Sequence, residues 1–219
     1  VRVYQRHKEE KAAARLAVAL DLYRAPVVEE PVATEGSGEA LSGETVPADE
    51  HGPTGHRHFA SEAERYKAAR VELQPIVVDY PNTASGKMAA FYLGLCDVEL
   101  GNHEAAEESL QRAAGAAQEL ISSMALYRLG QLHLQENRPQ EAVANFDQLL
   151  SAGKDFFPPE EALMGKARAH EAGGDPRAAL VTYQQVVDEY ASSFSAIDAR
   201  ARVEELSAQL GLDADVEGL

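Results

Sequence analysis

Apolar residues recur along most of this chain at helical rather than strand spacing. Over residues 3–24, VYQRHKEEKAAARLAVALDLYR, Ala13, Leu16, Leu20 and Tyr23 stand three and four positions apart, which predicts a helix with one apolar face that ends at Ala25-Pro26. A second helix is expected from about Phe59 to Tyr80, where Pro81 stops it. The order after that is helix, short turn, helix, three times over. Residues 196–210, AIDARARVEELSAQL, read as a terminal capping helix.

The pattern repeats. Leu93-Gly94, Gly101, Ala106 and Leu110 are matched downstream by Leu129-Gly130, Asn137, Ala142 and Phe146. Ala69, Ala106, Ala142 and Ala179 form one small-residue column, followed by Leu73, Leu110, Phe146 and Tyr183, and then by Ile76, Ala113, Leu149 and Val186. Small, large, then apolar is what a helix needs to nest against a partner and fill the remaining space. The turns recur as Gly101-Asn102-His103, Asn137-Arg138-Pro139 and Gly174-Asp175-Pro176. Their first position calls for a left-handed backbone, which Gly and Asn supply. Asn102 and Asp175 offer a cap oxygen at the second position, and Pro139 and Pro176 begin the next helix; Arg138 predicts a less well capped helix.

A helix-turn-helix unit of this length, with these Leu-Gly, Gly, Ala, aromatic and Pro columns, resembles the tetratricopeptide repeat over roughly Phe59 to Leu210. The resemblance implies an all-α fold, a tandem helix-turn-helix right-handed α-solenoid. It would place Gly94 and Gly130 where a neighbouring helix approaches closely, offsetting a helix-propensity cost of about 1 kcal/mol. The third unit departs from it, with Lys166-Ala167 in place of Leu-Gly.

The expected organisation is an N-terminal helix (1–24), an acidic linker without fixed structure (25–58), a repeat domain (59–212) and an acidic tail (213–219). The linker reading rests on the stretch from Pro26 to His58, which is rich in Pro, Gly and acids and has no aromatic residue to bury. The chain carries 20 Lys and Arg against 36 Asp and Glu, a formal charge of −16, and no basic patch, so nucleic acid is not an expected partner. Cys96 is the single cysteine and reads as a small buried hydrophobe. Phosphate loops, nucleophile elbows and His-Glu-x-x-His patterns are missing, so no enzyme activity, catalytic residue, cofactor or metal site is expected. His51, His56 and His58 read as solvated linker histidines, with a transition metal held through their imidazoles as the alternative. Asp97, His133 and His170 share a repeat column and should make polar contacts inside each unit, and Glu104, Glu107 and Glu108 should face solvent at a helix start.

Family members bind partners in a concave groove lined by the first helix of each pair. Carried over residue by residue, the resemblance implies a partner-binding set of Met88, Phe91, Tyr92 and Leu95, then Met124, Tyr127, Arg128 and Gln131, then Met164 and Arg168. The Lys and Asn of a carboxylate clamp do not stand in these columns, so the expected partner is an apolar or amphipathic protein or peptide segment. A structural oligomerisation module that self-associates, with no client groove, is the alternative. The layout also resembles bacterial envelope tetratricopeptide proteins, among them the ancillary subunit of the Sec translocon and the repeat domain associated with the Tol-Pal system. That implies a scaffold on the periplasmic side of the inner membrane, with a cytoplasmic location as the alternative. Arg2, Tyr4, Arg6 and Lys8 would suit the flank of an upstream anchor, the only link to a membrane that is expected.

Overall fold

A computed structural model describes residues 2–28, 57–152 and 156–212. The described elements are α-helices: α1 (Arg2–Tyr23), α2 (Glu62–Asp79), α3 (Ala84–Glu99), α4 (His103–Ala114), α5 (Glu119–Gln135), α6 (Pro139–Ser151), α7 (Pro159–Ala172), α8 (Pro176–Glu189) and α9 (Ser195–Leu210). The all-α expectation holds. The chain divides into two compact units, the first ending at Asn102 and the second beginning at His103.

In the first unit, α1 packs on both α2 and α3. Its buried stripe is Ala12, Leu16, Ala19 and Leu22 rather than the expected Ala13, Leu16, Leu20 and Tyr23; Ala13 is exposed. The face turns because alanines admit the neighbouring helices more closely than the larger side chains would. Ala19 occupies the column of Cys96, Leu132 and Ala169, all buried. α1 is therefore the first helix of a pair whose second helix is α2, and residues 26–59 interrupt that pair instead of preceding the array. At the base of the interruption Val27 and Phe59 form a parallel bridge, Val28 N donating to Phe59 O at 3.0 Å and Phe59 N to Pro26 O at 3.1 Å. Residues 29–56, which hold His51 and His56 and most of the expected linker, lie outside the described residues, as does the 213–219 tail. His58 is exposed.

Polar ties fix α1 further. The Glu9 carboxylate accepts from Ala84 N (2.8 Å), Ser85 N (3.0 Å) and Ser85 Oγ (2.5 Å), meeting free N–H groups at the start of α3. Arg15 pairs with Asp79 of α2 at 2.8 Å.

In the second unit α4 packs on α5, α5 on α6, α6 on α7, α7 on α8 and α8 on α9. The buried Phe146 ring fills the space between two glycines. A Cβ built on Gly130 would lie 2.6 Å from the ring, and one on Gly165 would lie 2.5 Å from it. Gly130 thus admits an aromatic ring from its own pair, and Gly165 supplies the close approach that the Lys166-Ala167 column position does not. The turn expectations hold in backbone geometry: Gly101, Asn137 and Gly174 have φ of 73°, 57° and 76°. Asp175 caps α8 through Ala178 N, whereas α6 has no side-chain cap at Arg138. Asn102 instead turns its amide to Asp97.

Candidate functional site

The ten residues expected to contact a partner fall four in the first unit and six in the second. Met88, Phe91, Tyr92 and Leu95 lie on α3. Phe91 is buried, and its ring packs against Tyr92 at a centroid distance of 5.5 Å. Tyr92 meets Tyr23 of α1 edge-on at 5.1 Å, and Tyr23 reaches Tyr66 of α2 at 5.9 Å, so this aromatic group helps to bind three helices together. Met88 and Leu95 are half-buried.

The six in the second unit are carried by α5 and α7. Arg128 is exposed and donates to Gln131 at 3.0 Å, and Met124 is half-buried. Tyr127 meets Phe157 at 4.6 Å in a tilted arrangement and Phe146 edge-on at 6.0 Å, which leaves its ring partly buried. Burial, then the Glu161 carboxylate, pushes its phenol above the ordinary tyrosine range, against the pull of Arg168 and Arg128. Arg128 on α5 and Arg168 on α7 are both exposed. Met164 is nearly enclosed, because α7 seats it in the core formed with α8 and α9.

Met164 and Arg168 do line a depression of about 310 Å³, closed by Glu161 of α7 and by Phe194, Ser195, Ile197 and Asp198 at the start of α9. Ser195 Oγ donates to Glu161 Oε1 at 2.5 Å and sets the distance between the two walls. Phe194 is 91% exposed and Ile197 is 62% exposed. Sequence reasoning missed this wall because α9 was read only as a cap. The available signal was Phe194, a lone aromatic residue in the serine-rich turn Ala191-Ser192-Ser193-Phe194-Ser195.

In the Asp97, His133 and His170 column, the first two are polar because each meets a charged side chain of another helix. Buried Asp97 accepts from Arg70 Nε of α2 at 2.6 Å and from Asn102 Nδ2 at 3.0 Å. His133 of α5 stands by Glu107 of α4. Arg70 and Glu107 each follow the small alanine of their helix, so each contact joins the second helix of one pair to the first helix of the next rather than the two helices of one repeat. Glu107, expected to face solvent, is mostly covered, and Arg138 first, then His133, holds its carboxyl below the usual range against the opposing effect of burial. Cys96 is fully buried, and burial first, then the neighbouring Asp97 charge, pushes its thiol up to about 12, as befits a packing residue.

Residues 127–194 match the family model described as tetratricopeptide repeat, a stretch running from within α5 to the turn before α9. No curated protein matches the chain. Among solved structures, the chain is similar to one titled "Crystal structure of MamA protein", with 20% identity over 58% of this chain and 68% of that one, at a TM-score of 0.49.

Proposed function

We propose that this chain is a non-enzymatic interaction scaffold that binds an apolar or amphipathic protein segment, and that the surface made by α5, α7 and the start of α9 receives it. One observation carries the reading. Phe194 and Ile197 stand in solvent beside a depression floored by Met164 and flanked by Arg168, so an apolar anchor and a hydrogen-bonding cation adjoin. Aromatic residues and Arg concentrate binding energy at protein interfaces, and a preformed depression limits the ordering cost of binding. The repeat match over residues 127–194 supports the same general role.

A location at the bacterial envelope, on the periplasmic side of the inner membrane, is the finer part of this proposal. The layout of helix and repeats, with Asp79-Tyr80-Pro81 and Glu189-Tyr190-Ala191, supports it by resemblance. None of the described helices is long and apolar enough to cross a membrane, and the basic N-terminal helix is itself built into the first unit.

The surface is tested by screening arrayed peptides tiled from the source organism's proteins and measuring the best binder by fluorescence anisotropy. Arg168→Glu and Ile197→Asp should each weaken binding at least about tenfold, the loss of one good contact of about 1.4 kcal/mol. Val181→Asp on exposed α8 should leave it unchanged. Equal weakening by all three would refute this surface as the docking face.

A further inference from the structure

A second cluster lies where α4, α5 and α6 meet. Glu107, His133 and Glu141, one from each helix, present ligand atoms that all lie within 4.8 Å of one another. The His133 side chain is only 5% exposed, and its Nε2 atom has no hydrogen-bond partner. Glu107 Oε1 stands 3.3 Å from it, an ion-pair contact that does not satisfy the nitrogen with a hydrogen bond. Buried ring nitrogens in folded proteins are ordinarily satisfied, so an orphan aimed at two carboxylates calls for an explanation.

The charge balance points the same way. Glu107, Glu136 and Glu141 converge on a single guanidinium, that of Arg138, at 2.6 Å for Glu107 and 3.0 Å for Glu136, with Glu141 also bonded. His103 Nδ1 also stands 3.2 Å from Glu136, but three carboxylates against one permanent cation leave a negative excess at Glu107 and Glu141, in a corner that opens to solvent through half-exposed Glu141.

We propose that Glu107, His133 Nε2 and Glu141 form a binding site for a divalent transition-metal ion of the zinc class, which ties α4 to the α5–α6 pair. One imidazole and two carboxylates suit such an ion, whereas Mg²⁺ and Ca²⁺ take oxygen ligands alone. Metal–ligand bonds of about 2.0–2.2 Å require the donors to draw inward by roughly 1–2 Å, within reach of two glutamate side chains, and water completes the shell. Asn145 is the outer partner: its Nδ2 lies 2.8 Å from His133 Nδ1 and 3.0 Å from the Glu141 carbonyl oxygen. In that arrangement Nδ1 accepts and Nε2 carries the proton. Metal binding moves the ring proton to Nδ1 and turns the Asn145 amide so that its oxygen accepts from Nδ1–H, the usual support of a metal-bound histidine, while the Asn145 Nδ2 bond to the Glu141 carbonyl breaks and the side chain swings away from that oxygen. Arg138 then releases Glu107 and Glu141 and keeps Glu136. Guanidinium and metal are therefore alternative cations for the same corner.

The test is isothermal titration of the full chain with Zn²⁺ and Co²⁺, with Mg²⁺ as control, in four proteins. These are the wild type, Glu141→Gln, Arg138→Gln, and a variant with His51, His56 and His58 all changed to Gln, which removes the competing histidine cluster of the 26–58 stretch. Glu141→Gln changes a half-exposed side chain, and circular dichroism checks that it is folded. The expected result is one Zn²⁺ per chain, retained in the triple-histidine variant, weakened at least tenfold in Glu141→Gln and tightened in Arg138→Gln, with no Mg²⁺ binding. The visible Co²⁺ spectrum should be lost in Glu141→Gln alone. Binding that vanishes with the three histidines and survives Glu141→Gln would overturn the site, as would no Zn²⁺ binding to the wild type.

Discussion

At the scale of the residue, the Phe146 ring and its two glycines show what packing demands of single positions. Alanine favours a helix over glycine by about 1 kcal/mol, so propensity alone predicts that Gly165→Ala stabilises α7. The added Cβ would sit 2.5 Å from a fully buried ring, and overpacking of that kind costs about 1–3 kcal/mol. Gly165→Ala should therefore lower stability in urea unfolding, and the loss should shrink in a Phe146→Leu background, where the ring is gone. A stabilised single variant would contradict the packing. The sequence pointed to Gly130 through its repeat column but not to Gly165, which stands outside that column and faces an aromatic residue from the preceding pair. Polar columns divided in the same way. Asp97 and His133 were recognisable as unusual, yet Arg70 and Glu107, their partners, lie on other helices, and no spacing along the chain announces them.

At the scale of the element, helices and turns were legible because their signals are local. Pro139, Pro176 and the left-handed positions at Gly101, Asn137 and Gly174 mark boundaries without reference to the rest of the molecule. The place of α1 was not legible in this way. Its columns match those of α3, α5 and α7, but the stretch rich in Pro, Gly and acids separates it from α2 and disguises a pair as a helix followed by a linker. Burial of Ala12, Leu16, Ala19 and Leu22, with Glu9 seated on the start of α3, identifies it as structural. Replacing residues 29–56 by a short Gly/Ser link should accordingly leave the first unit folded. Its stability should be unchanged or raised by about 1 kcal/mol, since a shorter loop costs less closure entropy. Calorimetry checks this, and a cooperative transition lost on shortening would contradict the pairing of α1 with α2.

At the scale of the whole molecule, the formal charge of −16 and the repeated helix pairs fit a module that meets other proteins through side-chain surfaces. Carrying the groove columns of a family onto the chain located Arg128, Gln131 and Arg168 on accessible surface, but it also selected Phe91 and Met164, which the packing encloses. A column gives the side of a helix, and only the neighbouring helices decide whether that side remains open. The start of α9 supplies what the columns could not, an exposed aromatic and an exposed aliphatic residue next to Arg168. The most direct test of a partner surface there is site-specific photo-crosslinking in the source organism, with the reactive group at position 197 and, as control, at the somewhat more exposed position 181 of α8. Adducts with one or a few distinct proteins from position 197, absent from position 181, are the predicted result. Adducts only with further copies of the same chain, or equal yields from the two positions, would contradict it.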